Sequence, residues 1–120
     1  MRRPVPSYAS ISFGPGPLTR AVRAIVAANV IVYVLGLFAP ILTLWCGLIP
    51  GAVLERGWVW QPVTYMFVHG GLFHLLFNML ALWMFGVELE RVWGTTFFTM
   101  FYAVSGLGAA AWVHVELLPP

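Results

Sequence analysis

Hydrophobic positions in this chain come in long unbroken blocks, with the charges gathered in short clusters between them. No charge occurs between Arg23 and Glu55. From Arg56 to Glu88 the ionisable groups of note are His69 and His74, and from Val92 to Val115 only His114. A helix that crosses a bilayer needs about 20 apolar residues. The blocks therefore predict three spanning helices, over about 20–39, 72–90 and 96–117, with no room for a fourth. That is the pattern of an all-α, polytopic membrane protein.

The segments between the blocks differ in character. Residues 1–19 hold Pro4, Pro6, Pro15 and Pro17 with Gly14, Gly16 and several serines, and read as a flexible cytoplasmic tail. Residues 40–71 are apolar but broken by Pro40, Gly47, Pro50, Gly51, Gly57 and Pro62, with Glu55 and Arg56 midway. Trp45, Trp58, Trp60 and Tyr65 gather here, and such rings favour the membrane–water boundary. The prediction is a long first loop lying in the interface, with helical pieces near Ala52–Arg56 and Trp60–Phe67. Pro40 is expected to kink or end the first helix. Glu88, Glu90 and Arg91 mark a cytoplasmic turn that Gly94 closes, and Pro119 and Pro120 mark a stop after Glu116. In the third helix Ser105/Ala109 and Gly106/Ala110 give the small-residue spacing of close helix packing.

Composition sharpens this picture. The 120 residues are 61% hydrophobic and only 8% charged, with mean hydropathy +0.89. A soluble domain carries about 25% charged residues. The net charge of +2 is no signal for nucleic acid, because four of the six basic residues (Arg2, Arg3, Arg20 and Arg23) precede the first block. Positive residues stay cytoplasmic, so the N-terminus is expected inside, and that topology points to a plasma (inner) membrane. A cleaved signal peptide fits poorly, since the block after Arg23 is too long for one. Cys46 is the single cysteine and forms no internal disulfide.

The chemistry-bearing run is His69-Gly70-Gly71-Leu72-Phe73-His74-Leu75-Leu76-Phe77-Asn78. His74 and Asn78 lie four apart and share one face of a helix. A polar face inside a membrane is costly and meets protein or a wet cavity. Two readings follow. Imidazole and amide N–H groups suit an oxyanion in a water-poor site; alternatively Asn78 joins helices by a hydrogen bond worth about 0.6–2 kcal/mol. On spacing alone packing has the larger claim. Metal binding has little support, as His69 and His74 are five apart and lack a carboxylate companion. Asn29, alone in the first helix, reads as a helix–helix hydrogen bond.

The segment from Trp60 to Gly94 resembles the rhomboid intramembrane serine proteases. The resemblance rests on the His-Gly-Gly-x-x-His-x-x-x-Asn run and on Glu-x-x-x-Gly from Glu90 to Gly94, with looser likeness in the first helix and in Tyr-Ala-Val-Ser-Gly-Leu-Gly. It implies a partial rhomboid-like helical bundle in which His74 and Asn78 form part of the oxyanion hole. It further implies that His69 braces the first loop and that Glu90, with Gly94, ties the cytoplasmic turn. The substrate implied is a transmembrane protein cut near the outer leaflet, with no metal and no cofactor. Where many members carry arginine after the loop tryptophan, this chain has Gln61.

Rhomboids use a serine in Gly-x-Ser-Gly on the fourth helix and a histidine on the sixth. The chain is thus expected to be the N-terminal half of such an enzyme and inert alone. Ser105, in Ala-Val-Ser-Gly, lacks the leading glycine and is assigned to packing, as is His114. Ser7, Ser10 and Ser12 fall in the tail, across the membrane from His74. The rival readings are a rhomboid-like protein that binds membrane clients without cutting them, and a small protein that self-associates through the Gly106/Ala110 face. The oligomeric state is left open by the sequence.

Overall fold

A computed structural model describes residues 12–117, and these are all-helical, with no strand among them. Residues 1–11 of the expected tail, and the Pro119–Pro120 stop, lie outside the described residues. The first long helix, α1, runs Arg20–Phe38. Two short helices follow, α2 (Pro40–Cys46) and α3 (Pro50–Arg56), then α4 (Gln61–Thr64), which runs into a 3₁₀ turn at Tyr65–Phe67. The second long helix, α5, spans Leu72–Trp93, and the third, α6, spans Thr95–Glu116. All three are long and apolar enough to cross a membrane.

Proline starts the short helices. Pro40 and Pro50 occupy first-turn positions, where a missing N–H costs nothing and the fixed φ suits the helix. Pro40 therefore separates α1 from a helix of its own. Gly57 ends α3 in the left-handed region (φ 69°), and the Trp58 N–H closes back on the Ala52 carbonyl at 3.2 Å. The returning chain is stacked rather than loose. Trp45, Trp58 and Trp60 lie 4.8, 5.6 and 5.9 Å apart in near-parallel planes, and Trp60 Nε1 donates to the Trp45 carbonyl at 2.9 Å.

The core sits where the three long helices meet near the start of α1. Ala21, Val22 and Ile25 pack there against Val87 and Phe98, with Leu82, Trp83 and Tyr102 around them. Gly86 lies at the crossing: a Cβ there would come within 3.1 Å of Val22 and 3.3 Å of Phe98. Outward-facing Phe73, Phe77, Phe85 and Phe97 are exposed, as side chains bathed in lipid are. Asn29 is fully buried: its Nδ2 donates to the Ile25 carbonyl of its own helix at 2.7 Å, and its side chain lies in hydrogen-bonding reach of Tyr102 on α6.

Glu90 closes the base of the bundle. Its buried carboxylate accepts from the Ala21 and Val22 N–H groups at 2.9 and 3.1 Å and from Thr95 Oγ1 at 2.7 Å. The first turn of a helix has N–H groups without intrahelical partners, and a negative charge is favoured there. Thr19, at the N-cap of α1, adds no side-chain cap. The cap of α1 thus comes from α5. Gly94 follows at φ 82°, a conformation that favours glycine, and its N–H reaches the Glu90 carbonyl at 2.8 Å.

Candidate functional site

At the opposite end of α5, Gly71 forms an extended N-cap and the helix begins at Leu72. His69 precedes the helix, so the five-residue spacing to His74 is no obstacle to contact. The two imidazoles meet edge to face with centroids 5.0 Å apart. His69 Nδ1 lies 3.4 Å from the Phe67 carbonyl, across the end of the 3₁₀ turn. Burial pushes the His69 imidazole below its ordinary value; the Phe67 carbonyl opposes this and His74 adds to it. The ring is accordingly neutral at pH 7, with one nitrogen free to accept.

Below the pair, a cleft of about 450 Å³ opens between α5, α6 and the first loop. Met66, His69, Asn78, Tyr102, Ser105 and Gly106 are among its lining residues. Asn78 faces this space one turn below His74 and makes no side-chain hydrogen bond among the described residues. His74 is exposed and reaches the cleft only through its contact with His69. Ser105 shares the cleft with Asn78 and His69, yet no hydrogen bond joins it to either histidine. His114 lies elsewhere, with Nδ1 2.7 Å from the Ala110 carbonyl of its own helix. Among the described residues no group of three or more His, Cys, Asp or Glu could hold a metal.

The first loop forms one wall of the cleft, and two of its residues carry structure that spacing did not reveal. Gln61, at the position of the departure noted above, is fully buried. Its Oε1 accepts from the Ile49 N–H at 2.9 Å, and its Nε2 reaches the Trp45 carbonyl at 3.2 Å. One amide therefore joins α4 to the chain before α3, the work of a donor and an acceptor at once. Tyr65 donates its hydroxyl to the Gly106 carbonyl at 2.6 Å, and burial lifts its phenol above the ordinary value. A Cβ on Gly106 would collide with Met66. The helix face at Gly106 is thus occupied by this chain's own loop.

A family model of the Rhomboid domain matches residues 56–117. This chain belongs to the rhomboid family. The match contains both the His69–Asn78 run and the Glu90–Gly94 turn. Among curated proteins, RHOMBOID-like protein 5 of Arabidopsis thaliana is 33% identical over 64 residues, covering 53% of this chain and 21% of that protein. Rhomboid protease GluP of Bacillus subtilis (strain 168) is 36% identical over 56 residues, 47% of this chain and 11% of its own length. Putative rhomboid protease YdcA of the same bacterium is 37% identical over 54 residues, 45% of this chain and 27% of its own. The chain therefore spans about a quarter or less of these relatives, and no solved structure matches it significantly. Family membership and three apolar helices make the rhomboid chain an integral membrane protein.

Proposed function

We propose that this rhomboid chain supplies the oxyanion-stabilising side of an intramembrane serine endopeptidase acting on membrane-anchored proteins. The observation that carries the reading is that a rhomboid match contains a helix with His74 and Asn78 on one face, Asn78 being unpartnered above an open cleft. In such a reaction a serine attacks the scissile carbonyl, and negative charge collects on its oxygen. Donors already aimed at that oxygen lower the barrier, and one of them is worth about 10²–10³ in rate. His74 and Asn78 are the proposed donors. His69, neutral and braced on Phe67, holds the His74 ring from one side, while Glu90 and Gly94 fix the far end of α5. The nucleophile and its general base belong to sequence other than these helices, so the chain alone is inert. The reading places the N-terminus in the cytoplasm, on the argument of Arg2, Arg3, Arg20 and Arg23, and the enzyme in a plasma membrane.

The test is serine-directed fluorophosphonate labelling of the native protein in its own membrane, with the labelled band identified by peptides of the Trp60–Gly94 segment. Labelling at a serine outside the present 120 residues is the expected result. Labelling at Ser105 would overturn the assignment of roles. No labelling, with the protein present and folded, would favour the client-binding reading over proteolysis.

A further inference from the structure

Within α5 the hydrogen-bonding pattern widens to a π turn at Leu82–Gly86, with ordinary α-helix on both sides. A π turn closes i→i+5 instead of i→i+4 and so takes in one extra residue. Its effect on direction follows from the helix period. Each residue of an α-helix advances the side-chain direction by about 100°. Twelve positions separate Asn78 from Glu90, and the same twelve separate Leu75 from Val87. In an unbroken α-helix both pairs would point about 120° apart. With one residue's rotation absorbed, each pair comes to within about 20°.

Leu75, Gly86, Val87 and Glu90 are all buried, and with the turn in place they share one arc of about 100°. At the lower end Glu90 is pinned to the first turn of α1, and Gly86 is wedged against Val22 and Phe98. At the upper end Asn78 looks into the cleft that Ser105 and Tyr102 line from α6. No proline interrupts this stretch.

We infer that the π turn at Leu82–Gly86 is a register device. It sets the rotation of the His74/Asn78 half of α5 against the half anchored by Glu90, and so aims Asn78 into the cleft. Its residues are positioning residues. The consequence for turnover rests on the oxyanion reading of Asn78, whereas the geometry does not.

The device has an asymmetric signature. Removing one residue from the π turn leaves an ordinary α-helix of nearly the same length with Asn78 still over Glu90. Adding one residue forces a further rotation of about 100° on one of the two ends. An ordinary helix would suffer equally from either change. The experiment uses the full-length protein in a Cys46→Ser background, with Asn78→Cys and Ser105→Cys joined by a short bifunctional thiol reagent. Deletion of Phe85, or of Met84, is expected to keep crosslinking within about twofold of the parent. Insertion of alanine between Phe85 and Gly86 is expected to lower it more than about tenfold. With Asn78 and Ser105 native, kcat should follow the same order while KM changes little. Equal damage from deletion and insertion overturns the inference, as does failure of both deletions to fold. Crosslinking as expected with kcat unmoved by the insertion upholds the register device and overturns the oxyanion role of Asn78 instead.

Discussion

Glu90→Ala should be the most damaging single change at the base of the bundle. Three donors converge on its carboxylate: two first-turn amides of α1 and the Thr95 hydroxyl, at 2.7 to 3.1 Å. Hydrogen bonds to a charged group contribute about 1.5–3 kcal/mol each, and a buried donor left unpaired costs about 1–3 kcal/mol. These terms overlap, and water reaches part of the site once the side chain is gone. A loss of roughly 3–5 kcal/mol is the reasonable sum. Glu90→Gln keeps one acceptor but turns an NH₂ toward N–H donors, so it should recover less than half of that. Glu88 supplies the control. It lies two residues away, is 57% exposed, and pairs with Arg91 at 2.8 Å. A surface pair of this kind is worth about 0.2–1 kcal/mol, so Glu88→Gln should be nearly silent. The assay is thermal unfolding of the detergent-solubilised full-length protein, followed by tryptophan emission, together with hydrogen exchange at Ala21 and Val22. Unfolding should shift by roughly 10 °C or more in Glu90→Ala, with exchange at those two amides accelerated. Equal stability of Glu90→Gln and Glu88→Gln, or unchanged exchange at Ala21 and Val22, would refute the capping argument.

Three further expectations can be checked on the same protein. Asn78→Ala should lower kcat by about 10²–10³ while moving the unfolding temperature little; parallel loss of both would return Asn78 to a packing role. Gly106→Ala should destabilise by about 1–3 kcal/mol, the usual cost of overpacking, because its Cβ meets Met66; Met66→Ala in the same chain should restore most of the loss. His69 carries a folded-state pKa below its ordinary 6.5, so the unfolded state binds the proton more readily. Stability should therefore be full above that value and fall as pH drops below it. Unfolding midpoints from pH 8 to 5 should show this decline in the parent and a smaller one in His69→Gln; identical profiles would remove His69 as the cause.

The three spans were legible because each is a long block free of charge, and no tertiary information is needed to see that. Their internal orientation was not. When nearly every position of a helix is apolar, the sequence carries no phase, so neither the π turn nor the facing of Asn78 over Glu90 could be read from periodicity. Pro40 was ambiguous for a chemical reason, since the same missing N–H that ends one helix suits the first turn of the next. The pairing of His69 with His74 was hidden because helical spacing was applied across Gly70 and Gly71, where the helix has not begun. Gln61 finds its partners 12 to 17 residues away, and only the folded loop brings them near. The small residues of α6 did announce a close approach. They could not announce that the visitor is Met66 of the loop rather than another helix.

The cap on α1 also fixes an order of events during synthesis. Ala21 and Glu90 are 69 residues apart, and translation at about 5–20 residues per second puts roughly 3–14 s between them. Through that interval the leading turn of α1 has no carboxylate, and only water or lipid headgroups can satisfy its amides. The helix can enter the bilayer, but it is not yet latched. Closure waits for α5 to pack beside it and deliver Glu90 to that open end, so the first helix made becomes a finished one only after the second. A nascent chain released before Glu90 would carry an intact spanning sequence and an open end, a difference that membrane quality control could read.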